Sequence, residues 1–106
     1  MKLPKHYTRE PRVVGFDCDG VLCKGEAWTV EDVLNAEPKL EIISKVNELY
    51  ETKFIVIYTA RRDHLIPATI QWLRKNGVHY HAISNRKIPL DILIDDKVIN
   101  AEDFEL

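Results

Sequence analysis

Apolar residues fall along this chain in two alternating patterns, short continuous runs and stripes at helical spacing. Val13-Val14-Gly15-Phe16 leads into Asp17 and predicts a first strand over Val13–Asp17. Phe54–Tyr58 is a continuous β-rich run, the pattern of a strand covered on both faces. Val78–Ile83 predicts a third, short strand and Ile92–Ile94 a last one, with residues 98–106 adding a short edge segment. Between the first two strands, Leu40, Ile43, Val46, Leu49 and Tyr50 recur at helical spacing, with Ile42 widening the stripe and Pro38 in the first turn. A second helix is expected to start near His64 or Leu65, which keeps Pro67 in its first turn. It turns Ile66, Thr69, Ile70 and Leu73 to the core and stops at Gly77. Residues 20–37 hold Gly20, Gly25, Trp28 and scattered acids without a sustained period, and predict an irregular excursion with a short hairpin or helical turn.

Strands alternating with helices of about a dozen residues argue for right-handed crossovers and a parallel sheet. The expected fold class is α/β, a small sandwich with strand order 3-2-1-4. At 106 residues the chain reads as one domain over 1–106, with 1–11 a polar leader carrying two prolines. Apolar residues at 45% and charged residues at 30% are globular proportions. A net charge of −2 gives no electrostatic case for a nucleic-acid or acidic-membrane partner. Cys18 and Cys23 are the only cysteines and have no zinc-finger spacing, which suits a reducing compartment. With neither a membrane-length apolar segment nor a signal-peptide pattern, the expected location is cytoplasmic. His79 and His81 alternate around Tyr80, where a structural role at a strand edge outweighs a metal pair.

The chemistry gathers at strand ends. Asp17 and Asp19 stand one residue apart, and alternation along an extended chain points both the same way with Cys18 opposite. Two like charges that close need a cation, a shared proton or a substrate between them. An ordinary Asp-Gly turn would explain Asp19-Gly20 alone. It does not explain why the next strands end in Thr59 and in Asp95-Asp96, with Lys87 just ahead of the last one. In open parallel sheets, ligands bind outside the carboxyl ends of the strands where the strand order reverses.

This inventory suits phosphoryl transfer. Asp17 can attack phosphorus as a carboxylate nucleophile. Asp19 can protonate the leaving oxygen and later deprotonate water. Thr59 and Lys87 can hold the phosphoryl oxygens. A hard cation would sit among Asp17, the backbone carbonyl of Asp19 and the Asp95/Asp96 pair, and oxygen-only ligands point to Mg2+.

Asp17-Cys18-Asp19-Gly20-Val21-Leu22, Thr59 after Phe54–Tyr58, Lys87, and Asp95-Asp96 after Ile92–Ile94 resemble, in order, the four motifs of the haloacid dehalogenase superfamily. They frame about 80 of the 106 residues. The resemblance implies a three-layer Rossmann-like core without a cap domain, magnesium dependence and an aspartyl-phosphate intermediate. It also implies that Asp19 marks the phosphatase branch, with Asp96 the direct metal ligand and Asp95 its support. Tyr58-Thr59-Ala60-Arg61 and Ile94-Asp95-Asp96-Lys97 are similar to small capless phosphatases found beside surface-polysaccharide genes. Two departures stand out: Lys87 lies in Arg-Lys-Ile-Pro rather than Gly-Lys-Pro, and the family's closing strand and helix are short or missing. The second brings a homo-oligomer into the expectation.

Ala60, Arg61 and Arg62 follow Thr59 directly and are expected beside the phosphoryl group. Trp28, in the excursion over the site, either stacks on a sugar or base or packs beneath the loop. The expected partner is a small phosphorylated metabolite, a sugar phosphate first. The alternatives are a polynucleotide-end or nucleotide phosphatase and a non-catalytic binding or regulatory module. An EF-hand fails on spacing, a Gly-Lys-Ser/Thr phosphate loop is absent, and a receiver domain would carry its acidic pair first.

Overall fold

The computed structural model describes residues 12–86 and 92–94. Four strands within them, β1 (Val13–Phe16), β2 (Phe54–Tyr58), β3 (Ala82–Ser84) and β4 (Ile92–Ile94), form one parallel sheet in the order β3-β2-β1-β4. Ile55, Val56 and Ile57 at the centre of β2 are all buried, so the sheet is covered on both faces there. Val14 and Phe16 of β1, Ile55 and Ile57 of β2 and Ile94 of β4 belong to one core cluster. In register, Phe16 lies beside Ile57 on one side and Ile94 on the other. The carboxyl ends of three strands therefore stop level with one another.

Three helices complete the described chain: α1 (Val30–Asn35), α2 (Leu40–Tyr50) and α3 (Ile66–Lys75). Of the expected α2 stripe, Ile42, Ile43, Val46 and Leu49 are buried on the sheet side and Tyr50 is half-buried, whereas Leu40, in the first turn, is 68% exposed and lies off the core. Pro38 is not in its first turn. It bridges to Cys23 instead, and the helix begins after Lys39. A 3-10 turn, Asp63–Leu65, precedes α3, whose Pro67 sits in the first turn. The buried face of α3 is Ala68, Thr69, Trp72 and Leu73, rotated from the expected one because Trp72 takes the interior and leaves Ile66 and Ile70 half-buried. Gly77, at φ +67°, ends the segment as expected, and Val78 N–H closes it on the Leu73 carbonyl.

Strand β3 starts at Ala82 rather than Val78. Residues 78–81 are held otherwise: His79 N–H donates to Asn47 Oδ1, and His81 Nδ1 accepts from Ile55 N–H at 2.9 Å. The His81 ring stacks on Tyr50 and Phe54, with centroids 4.2 and 4.7 Å away. Both histidines thus serve the sheet edge. The excursion over residues 20–37 contains α1, and Trp72 Nε1–H donates to the Ala36 carbonyl at its end. Among the described residues, no helix is long and apolar enough to cross a membrane. The expected segment at 98–106 lies outside the described residues.

Candidate functional site

Extended backbone carries Asp17 out of β1, and its N–H donates to the Ile94 carbonyl at 3.2 Å. The chain then folds sharply around the Cys18 carbonyl, which accepts from the N–H groups of Val21, Leu22 and Cys23 at 3.2, 2.9 and 3.1 Å. Gly20 takes φ +77°, a conformation costly for other residues. Its carbonyl accepts from Lys39 Nζ at 3.0 Å, which fastens the turn to the start of α2. Cys18 is driven into the core while Asp17 and Asp19 both face one cavity, the alternation expected from sequence.

That cavity measures about 860 Å³ and lies over the carboxyl ends of β1 and β2. Asp17, Asp19, Trp28, Thr59, Ala60, Arg61 and Arg62 all line it, so every described residue of the expected catalytic and substrate-binding sets is brought to one place. Lys87, Asp95 and Asp96 lie outside the described residues. Trp28 is 74% exposed, so it packs beneath nothing and stands at the rim. Glu26, His64 and Asn85 also line the cavity and were not anticipated. Asn85 follows the end of β3 and could have been found by the strand-end rule that flagged Asp17 and Thr59. Its Nδ2 donates to the Arg61 carbonyl and to Asp63 Oδ1, tying β3 to the segment after β2.

Thr59 is buried, and its Oγ1 accepts from Arg61 N–H at 3.1 Å. The Arg61 side chain does not extend toward solvent. Its Nη2 donates to Asp19 Oδ1 at 2.7 Å and its Nε to Oδ2 at 3.4 Å, with 2% of the arginine and 23% of the aspartate side chain exposed. Nη1 donates to Thr69 Oγ1 at 2.9 Å, and that hydroxyl donates to the Leu65 carbonyl at 2.8 Å. Burial works against the guanidinium charge, but the hydrogen bond to Asp19 and the nearby negative groups outweigh it and raise the pKa. Among the described residues, no buried side-chain nitrogen or oxygen lacks a partner.

The two thiols are inert neighbours. Burial pushes Cys18 up to about 12 and Cys23 up to about 11, with Arg61 opposing the shift in both. Both are therefore protonated at neutral pH, and the single Cys23 S–H is shared between the Cys18 carbonyl at 3.5 Å and Asp19 Oδ1 at 3.7 Å. No group of three or more His, Cys, Asp or Glu side chains poised for a metal occurs among the described residues. The potential metal donors that line the cavity there are the carboxylates of Asp17, Asp19 and Glu26 and the His64 imidazole.

No protein-family model matches the chain, and no curated protein matches it. Solved structures do. A chain of the Pnkp1/Rnl/Hen1 RNA repair complex superimposes with a TM-score of 0.61 at 13% identity, over 82% of this chain and 27% of that one. A chain from another structure of the Pnkp1/Rnl/Hen1 complex gives 0.63 at 13% identity, over 81% and 36%. A conserved protein from Bacteroides thetaiotaomicron gives 0.61 at 17% identity, over 85% of this chain and 79% of that one. This chain spans well under half the length of the two repair-complex chains. At such identities the likeness establishes a shared fold, a small α/β domain with a parallel sheet and helices.

Proposed function

We propose that this chain is a magnesium-dependent phosphatase of the haloacid dehalogenase type, with Asp17 as nucleophile and a small phosphorylated metabolite, a sugar phosphate first, as substrate. The observation that carries the reading is the meeting of Asp17, Asp19 and Thr59 in one cavity at the ends of adjacent parallel strands. In the first step an Asp17 carboxylate oxygen bonds to phosphorus. The bond from phosphorus to the leaving oxygen breaks, and that oxygen keeps the electron pair and takes a proton from Asp19. In the second, Asp19 takes a proton from water, whose oxygen attacks the aspartyl phosphate. The phosphorus–Asp17 bond breaks, regenerating the carboxylate and freeing inorganic phosphate. Thr59 Oγ1 already accepts from Arg61 N–H, so its own O–H is available to donate to a phosphoryl oxygen. Lys87 adds positive charge in this reading.

The donor set fits a hard cation. The Asp17, Asp19 and Glu26 carboxylates line the cavity, whereas the nearby thiols stay protonated and Cys18 points into the core. Asp17, the carbonyl of Asp19 and Asp96 would hold magnesium, with Asp95 in support; the Asp19 carboxylate itself is engaged by Arg61. When bound, the cation would neutralise the phosphoryl group and the Asp17 charge during attack.

A second reading, a phosphatase for nucleotides or polynucleotide ends, draws on the likeness to chains of an RNA repair complex and on the exposed Trp28, Arg62 and His64 at the rim. The test begins with 4-nitrophenyl phosphate, with and without magnesium. We expect turnover that requires the metal and drops by at least about a thousandfold in Asp17→Asn. Undiminished turnover in that variant would falsify the mechanism. A panel of sugar phosphates, nucleotides and 3′- or 5′-phosphorylated oligonucleotides then separates the substrates. Preference for oligonucleotides, weakening steeply with salt, would select the second reading.

A further inference from the structure

We infer that Arg61 is a positioning residue, which aims the Asp19 carboxylate so that Oδ2 exchanges the proton with the leaving group and with water. This rests on the phosphatase reading above and assigns a part to a side chain whose place after Thr59 suggested phosphate binding. The two carboxylate oxygens are held very differently. Oδ1 accepts from Arg61 Nη2 at 2.7 Å, from Ala27 N–H at 3.3 Å and from Cys23 Sγ at 3.7 Å. Oδ2 accepts from Arg61 Nε at 3.4 Å. Oδ1 is thus saturated on the protein side, and Oδ2 is the oxygen left to meet a ligand in the cavity.

The guanidinium is itself fixed. Its side chain is 2% exposed, and Nη1 is locked by Thr69 Oγ1, whose own proton goes to the Leu65 carbonyl. Asp19 stands on the loop after β1, yet its orientation is set from the first turns of α3. An aspartate side chain without that brace would turn about its Cα–Cβ and Cβ–Cγ bonds, and proton transfer requires a particular oxygen within hydrogen-bond reach. Because the guanidinium is committed to Asp19 and Thr69, Arg61 serves the reaction through another residue.

Leaving-group dependence tests this. An alkyl phosphate needs its leaving oxygen protonated, whereas nitrophenolate leaves readily without help. For kcat/KM, which reports transfer to Asp17, Arg61→Ala should lose about a hundredfold or more on ethyl phosphate and less than about tenfold on 4-nitrophenyl phosphate. Added guanidinium ion should restore part of the ethyl phosphate activity, and KM should change little. Equal loss on both esters, or a loss carried by KM alone, would make Arg61 a phosphate ligand or a scaffold residue and overturn the inference. Should Arg61→Ala fail to fold by circular dichroism, Thr69→Val carries the test. It should lose about three- to tenfold on ethyl phosphate with little change on the aryl ester. An unaltered ester ratio in Thr69→Val would then overturn the inference. Wild type inactive on both esters would instead bring down the phosphatase reading itself.

Discussion

Cys18 and Cys23 flank the acidic turn, and their state follows from where alternation puts them. Both thiol pKa values are raised on folding, so the stability they contribute is complete below the ordinary thiol range near 9 and is lost as pH climbs through 11 and 12. At pH 8 the Cys23 thiolate is about one in a thousand molecules, so native protein should resist iodoacetamide and label at both cysteines only after unfolding. Rapid native labelling would contradict the burial. Above pH 9, Cys18→Ala should show a shallower fall of its urea midpoint with pH than wild type. The inward Cys18 was legible beforehand because extended chain leaves a side chain only two directions. Arg61 was not. Its partner lies 42 residues away, and only the pairing of β1 with β2 brings the two together. Trp28 was equally open from composition, since an aromatic residue in an excursion can face either way. In the fold it stands exposed just ahead of the Thr29 cap of α1, while Val33 is the residue of that helix turned to the interior.

At the scale of elements, long periodic segments were readable and short ones were not. Helix α2 presents three turns of apolar stripe, and β2 is an unbroken run. Helix α1 has six residues and buries only Val33, too little for a period to emerge. Its signal was local instead: Thr29 and Asp32 form a capping box, with Thr29 Oγ1 accepting from Asp32 N–H at 3.1 Å. Asp32 Oδ2 accepts from the N–H groups of Trp28 and Thr29 at 3.1 and 3.2 Å. Asp32 thus fixes the backbone at the cavity rim. Thr29→Ala should cost about 1 kcal/mol in urea unfolding and quicken amide exchange at Trp28 and Thr29. The Trp28 N–H, then Thr29, hold the Asp32 carboxyl below its ordinary value. That support is complete above the unfolded carboxylate value and is lost as pH falls through the lowered one. Exchange at Trp28 and Thr29, corrected for its intrinsic pH dependence, should therefore quicken in acid before the α2 amides respond. Simultaneous loss would mean that α1 is held by its packing on α3 and not by its cap.

For the whole molecule, the alternation of runs and stripes was enough to indicate a parallel α/β sheet, because buried strands must be apolar throughout and their connections must cross over. Details set by competition were harder. The start of β3 depended on Asn47 holding the His79 N–H and on Tyr50 and Phe54 stacking on the His81 ring. The face of α3 depended on Trp72 reaching the Ala36 carbonyl. Likeness at 13–17% identity to chains from an RNA repair complex and from Bacteroides thetaiotaomicron belongs to the same scale, since layer architecture outlasts the residues that build it.

The separation of 42 residues between Asp19 and Arg61 also dictates an order of assembly. The pair can close only once β1 and β2 are in register and α3 has begun, so the expectation is that it forms late in folding. Asp19→Ala leaves the Arg61 charge buried and unmatched, a loss of about 3–5 kcal/mol. That loss should fall almost wholly on the unfolding rate, with the refolding rate in stopped-flow changed by less than about twofold. A slowed refolding limb would place the pair in the folding nucleus instead. On this account a chain that has just formed its sheet has not yet aimed its Asp19 carboxylate, and the finished geometry of the cavity follows compaction as a separate, later event.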